Sequence, residues 1–461
     1  MLKLSAFYIL AFLLFAMHTS MPENVYWIAW FASIIIYILT IFKQLIPIPN
    51  DLPVSQQLFR PYFLAHSFFF GYVCFSSVFY FMNLKGYRFF ELVGDPGFQK
   101  DQIINVAKCQ CFYLMAHISL LIGMSVDFRK KDIKKQNIDK SKMTVIILIT
   151  AISAQIVVLV SNLIPGLSQI GVKFSTISQI ASVLFLGFAI KEKNKKLIPL
   201  GLIIFSITMA LAVLSGWKSQ ILFVLILTGF FLFPFYKKSI IVLGIVTSVF
   251  WLNFGPIFSG YYRTLNWYEQ VSTSEAFAMS VDYTVSSTAV EREDATWSLL
   301  VDRLSEVGMF ILFTEQVPAY RPYYGFEIIN QVFYSFIPRI FWPDKPDLEV
   351  LIMQRVYENG VIDENSDVSA KPAFIVDAYL TAGITGIIIA HLILGILNSF
   401  LYTKSEEWLG GYYLGTCIFF NGLFSIIWLG NSFEFMVNAV FWSFIVMLFL
   451  KFLSEKFSLF N

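Results

Sequence analysis

Residues 191–214 read KEKNKKLIPLGLIIFSITMALAVL. Four lysines and a glutamate within six residues give way, with no linker, to eighteen residues that carry no charge. A helix that spans a bilayer needs roughly 20 mostly apolar residues, and lysine collects at its cytoplasmic end. The stretch therefore predicts a membrane helix and its orientation together. Working outward, the whole chain of 461 residues is 57% hydrophobic and only 14% charged, with 50 phenylalanines. A soluble domain carries about 25% charged residues. The composition excludes disorder, collagen-like fibres and disulfide scaffolds, and it leaves too few charges to coat a soluble multidomain enzyme.

Twelve apolar stretches are predicted to span, at about 3–19, 25–46, 61–84, 103–126, 143–162, 170–190, 197–214, 219–236, 239–255, 373–402, 409–429 and 432–453. The first is read as a retained span, because no small-x-small cleavage site follows it. With the N-terminus inside, 17 of the 24 lysines fall on the cytoplasmic side, 6 on the outer side, and Lys108 falls within a span. The expectation is an all-α polytopic membrane protein with about twelve transmembrane helices and both termini cytoplasmic. Residues 1–255 would hold helices 1–9, 256–372 one large outer loop, and 373–461 helices 10–12. The four cysteines, Cys74, Cys109, Cys111 and Cys417, all lie in apolar stretches and read as small core residues.

The loop 256–372 inverts the charge pattern. It holds two lysines but six of the nine arginines: Arg263, Arg292, Arg303, Arg321, Arg339 and Arg355. It also holds 17 of the 31 acidic residues. Arginine differs from lysine in its flat, bidentate fork, which suits phosphate and carboxylate. Residues 297–317 and 326–337 show the apolar spacing of amphipathic helices at a membrane surface. Residues 271–294 are polar and are predicted to be mobile. The densest constellation, Ser335 to Pro346 (SFIPRIFWPDKP), has three prolines in nine residues, which forbid a regular helix. It fixes two cations, Arg339 and Lys345, on a rigid turn beside Trp342. Either it meets an anionic lipid, or it is a structural turn whose charges reach water.

That segment, IPRIFWPDKP after a long outer loop in a polytopic chain, resembles the Wzy-type polymerases of O-antigen and other polysaccharide repeat units. Arg303 upstream resembles the loop arginine of that family, and Ser369 to Pro372 followed by Gly383 resembles its serine-proline-glycine stretch. Leu214 to Ser219 (LSGWKS) is similar to a short outer turn that has an arginine where Lys218 stands here. The resemblance implies a membrane glycosyltransferase fold with a lipid-accessible cavity under the outer loop, in the bacterial cytoplasmic (inner) membrane, with the active site facing the periplasm or exterior. It implies a donor and an acceptor that are glycans on undecaprenyl pyrophosphate. It also implies an inverting-type transfer, no nucleotide sugar, no cofactor and no metal. A chain-length regulator and a flippase are the partners it adds.

Such chemistry builds negative charge on a pyrophosphate leaving group, which fixed cations stabilise. Arg303, Arg321, Arg339, Lys345 and Lys218 are the candidate pyrophosphate ligands. A carboxylate must take the acceptor's proton; Glu306 and Glu327 rank ahead of Glu315 and Asp344. Asp377 and Glu434, together with Lys108, are charges inside spans, and a charge there is a functional candidate. No histidine lies in the loop, which weighs against a ligase of similar architecture. The loop's 8 basic against 17 acidic residues give nucleic-acid binding no support. The alternatives are that O-antigen ligase-like glycosyltransferase, a transporter of lipid-linked sugars, and a non-catalytic assembly or receptor protein that binds sugar.

Overall fold

The computed structural model describes residues 2–457 apart from 90, 95–99, 130–139, 164–167, 216–217, 338–341, 343 and 367–369. The described chain is almost all helix; one two-stranded antiparallel ribbon pairs Tyr87–Arg88 with Glu91–Leu92. Its first half runs α1 (Leu2–Met17), α2 (Pro22–Ile41), α3 (Leu64–Leu84), α4 (Lys100–Met124), α5 (Lys140–Leu163), α6 (Ser168–Lys191), α7 (Leu197–Leu214), α8 (Lys218–Leu232) and α9 (Lys237–Arg263). The long loop follows with α10 (Thr273–Ser286), α11 (Ala289–Ser298), α12 (Val307–Gln316), α13 (Phe326–Tyr334) and α14 (Leu348–Glu358). The chain closes with α15 (Phe374–Trp408) and α16 (Phe433–Lys456).

Among the described residues, nine helices are long and apolar enough to cross a membrane: α2–α7, α9, α15 and α16. Apolar helices at Lys3–Met17 and Gln220–Leu232 are shorter. The expected span at 409–429 takes another form. Gly410 and Gly411 turn the chain at positive φ. A π-helix (Tyr412–Phe420) follows, then two short helices, Asn421–Leu423 and Ile426–Leu429. Polar groups hold this buried detour, with the Asn421 amide donating to the Phe59 and Thr416 carbonyls.

The core forms around α4, which is buried on every side from Cys109 to Leu121. Its backbone touches that of α15, because a Cβ on Gly123 would strike Leu392 and Gly395, and one on Gly395 would strike Leu120. Small residues let helices approach in this way inside a bilayer. By contrast α5, α7 and α9 turn Ile149, Ile156, Ile203, Ile207, Val242 and Phe250 outward, each at least half exposed. Apolar patches of that extent do not face water. The protein is membrane-embedded.

The loop departs from expectation in three places. Helix α9 does not stop at residue 255 but passes through Pro256 to Arg263. Pro256 has no N–H for the Leu252 carbonyl four residues back, and the Thr296 hydroxyl donates to that carbonyl instead. Residues 271–294, expected to be mobile, form α10 and α11. Ser272 caps the first and a Thr288–Glu291 capping box starts the second. The single amphipathic helix expected at 297–317 breaks into a π-helical turn (Leu299–Leu304) and α12, with Ser305 extended between them.

Candidate functional site

A groove of about 710 Å³ opens between α15 and α16, with α13 across its loop-side end. Its lining is apolar and runs on α15 from Phe374 to Leu401 and on α16 from Phe433 to Phe444. From Gly386 to Leu401 the α15 wall is roughly 22 Å long at 1.5 Å per residue, most of the depth of a hydrocarbon core of about 30 Å. Few polar atoms line it, so water has little to hold there and an alkyl chain has much.

The wall is broken near its loop-side end. Ala382 (φ −157°, ψ 31°) and Gly383 (φ 60°, ψ −138°) leave the helical region. An unbroken helix would pair the Leu380 and Thr381 carbonyls with the N–H groups four residues on. Here Tyr324 N–H donates to Leu380 O (2.9 Å) and Gly325 N–H to Thr381 O (3.1 Å). The loop thus replaces part of the helix's own hydrogen bonding. Gly383 is required twice at the break. Its φ is left-handed, and a Cβ there would lie 2.7 Å from the Tyr323 hydroxyl.

Behind the same end sits a sealed ion cluster. Arg355 on α14 donates through Nη1 to Glu434 Oε1 (2.6 Å) and to Gln331 Oε1 (2.6 Å). Its Nη2 reaches Glu434 Oε2 (3.1 Å) and Asp377 Oδ1 (3.3 Å). Phe433 N–H donates to Asp377 Oδ2 (2.8 Å). The three charged side chains are 2%, 0% and 0% exposed. Burial by itself would lower the Arg355 pKa, but the two carboxylates hold it above its usual value. One guanidinium therefore ties α13 and α14 to both walls of the groove. Next to it, Tyr324 Oη donates to Glu358 Oε2 (3.1 Å) and accepts from the Asn359 amide (2.9 Å).

A second polar group lies where the loop meets α3 and α4. Tyr72 Oη donates to Glu306 Oε1 (2.8 Å). Glu306 Oε2 is sealed from solvent and has no partner among the described residues. Burial pushes the Glu306 pKa up, and the Tyr72 hydrogen bond opposes this. Arg303, on the π-helical turn, is exposed and acts electrostatically on Tyr72 and Arg263. Nearby, Lys108 Nζ donates to Thr314 O (3.1 Å) and the Asn105 amide to Glu315 Oε1 (2.7 Å). Lys108 thus serves to hold α12 against α4. A run of rings leads from this group toward the groove: Phe310 to Tyr379 (5.6 Å) and Tyr379 to Tyr323 (5.8 Å), ending at Gly383.

The family model described as "Domain of unknown function (DUF8712)" matches residues 8–461, nearly the whole chain. The chain belongs to the DUF8712 family. No curated protein and no solved structure matches it. Within this DUF8712 member, the residues singled out from sequence fall into separate places. Glu306 is hydrogen-bonded to Tyr72, on which exposed Arg303 acts electrostatically. Arg321 lies at the groove side, in a half-exposed pair with Glu358 at 3.6 Å. Glu327 is exposed in the first turn of α13. Lys345 Nζ donates to Ile337 O (3.0 Å). Arg339 and Ser369 lie outside the described residues, and so does the Lys218 side chain at the start of α8. No group of three or more His, Cys, Asp or Glu placed to hold a metal occurs among the described residues.

Sequence reasoning named Asp377 and Glu434 but did not join them to Arg355. A signal was present. In LEVLIMQRVYE, Arg355 falls three residues after Ile352 and beside Val356, on the apolar face of its helix. Buried carboxylates require such a cation.

Proposed function

We propose that this protein polymerises oligosaccharide repeat units carried on undecaprenyl pyrophosphate, at the outer face of a bacterial cytoplasmic membrane. The observation that carries the reading is the groove. It is apolar, it runs along two helices of membrane-spanning length, and it ends beneath the loop that concentrates the arginines. That shape suits a substrate with a long isoprenoid tail and a polar head. The orientation rests on the lysine distribution, and the reaction class on the resemblance of residues 300–385 to Wzy-type polymerases.

In this reading the tail lies between α15 and α16, and the head emerges at Gly325 and Phe326. Fixed cations of the loop stabilise the pyrophosphate as its bond to the sugar breaks. Glu306 is the proposed base; its buried, unpartnered oxygen suits a carboxylate of raised basicity, and the acceptor hydroxyl would have to be admitted beside Tyr72 to give it a proton. Purified protein in nanodiscs, given lipid-linked repeat units, should form a ladder of lengths. A product of one length, or none with the authentic substrate, would rule the reading out.

One observation favours a second reading. A helix broken within a span is a frequent feature of transporters, and α15 is broken at Ala382–Gly383. Movement of lipid-linked sugar across proteoliposomes, with no change in glycan length, would select transport instead.

A further inference from the structure

Residues 318–326 (PAYRPYYGF) place four aromatic rings and a cation at the loop-side mouth of the groove. Tyr320 is 80% exposed, Phe326 77% and Tyr323 40%. Their chain is fixed by the two backbone hydrogen bonds to Leu380 and Thr381. Set among the rings is a pair able to bind hydroxyls, the half-exposed Arg321 and Glu358, with Asn359 buried behind it and donating to the Tyr324 hydroxyl.

We propose that the strip Tyr320–Phe326 is a glycan-binding subsite, which grips the sugar of an amphiphile whose tail occupies the groove. The inference rests on the polymerase reading and names the part of the site that recognises the sugar. An aromatic face is electron-rich and packs against polarised C–H groups, and one face of a pyranose ring offers a row of these. Adjacent carboxylate and guanidinium groups match vicinal hydroxyls in number and direction. A strip that merely anchored the loop at the headgroups would have rings and a cation but no use for the Glu358 carboxylate beside them. The strip is also continuous with the groove, since Gly325 and Phe326 line it. Its rigidity limits the ordering cost of binding. Arg321 is thereby assigned to the sugar and not to the pyrophosphate.

The test compares two probes on the full chain in nanodiscs: undecaprenyl pyrophosphate, which has the tail and head but no sugar, and lipid-linked repeat units extracted from the native cells. Tyr320→Ala and Arg321→Gln change exposed side chains. Each should weaken the lipid-linked repeat unit at least about tenfold, while undecaprenyl pyrophosphate binding stays within about twofold of wild type. Ile393→Trp, which fills the groove, should weaken both probes. If Tyr320→Ala leaves both affinities unchanged, the strip is an interfacial anchor and the subsite is wrong. If Arg321→Gln weakens both probes alike, Arg321 binds pyrophosphate and the assignment falls. If the wild type binds neither probe, the polymerase reading itself fails and the subsite with it.

Discussion

At the scale of single residues, two carboxylate environments make opposite predictions. Burial raises the Glu306 pKa above the usual carboxylate range and the Tyr72 phenol counters it. As a base, Glu306 must be ionised, so activity should rise with pH through this raised value. Glu306→Gln should abolish turnover at every pH. Tyr72→Phe removes a hydrogen bond that favours the charged form, so the acid limb of the activity profile should move to higher pH; an unmoved limb would assign it to another group. Stability runs the other way. Between the unfolded and folded pKa values the folded chain binds more protons at Glu306, so stability falls as pH rises across that window. Glu306→Gln should flatten this dependence in thermal melts. At Arg355 the arithmetic is one cation against two acids. Arg355→Met leaves Asp377 and Glu434 buried and uncompensated, a loss on the order of 3–5 kcal/mol. Asp377→Asn keeps Arg355 paired with Glu434 and should cost clearly less. Equal losses in detergent-stability assays would contradict the geometry.

Among the elements, α15 and α9 show where the sequence was legible and where it was not. Both were recognised as apolar runs, because length and hydropathy are local properties. The break at Ala382–Gly383 was not, since glycine within a span is common and only the left-handed φ and the Tyr323 hydroxyl, neither visible in the sequence, make this one obligatory. Gly383→Ala should destabilise the protein by about 1–2 kcal/mol from backbone strain alone. The clash with the Tyr323 hydroxyl adds to this, and Tyr323→Phe should restore part of the loss. A Gly383→Ala protein with an unchanged melt would mean that the helix is not broken there. The passage of α9 through Pro256 was likewise hidden, because the group that satisfies Leu252 lies forty-four residues on, at Thr296. Thr296→Val removes that donor and should cost about 1–3 kcal/mol; hydrogen exchange at the end of α11 would report it.

For the whole molecule, charge placement carried most of what the sequence revealed. Lysine sorting organised the chain around one long loop, and among the described residues the structure puts five α-helices in that loop, α10 and α11 packed on α9 and α12 and α13 on α3, α4, α15 and α16. The candidate site was legible only in pieces. Arg303 and Glu306 are close in sequence and both act on Tyr72, whereas Arg355, Asp377 and Glu434 are brought together by tertiary packing across 79 residues. The groove had no sequence signature at all. Its lining residues are ordinary apolar side chains, and only the splaying of two helices makes them a cavity. The central claim is that this groove holds the lipid carrier with its head beneath the loop. A cryo-EM map of the protein in nanodiscs with undecaprenyl pyrophosphate tests it most directly. The account predicts continuous chain-like density along α15 and α16, from Leu401 to Phe374, ending in a pyrophosphate near Gly325. Carrier density elsewhere on the protein, with ordinary bilayer lipid in the groove, would contradict it.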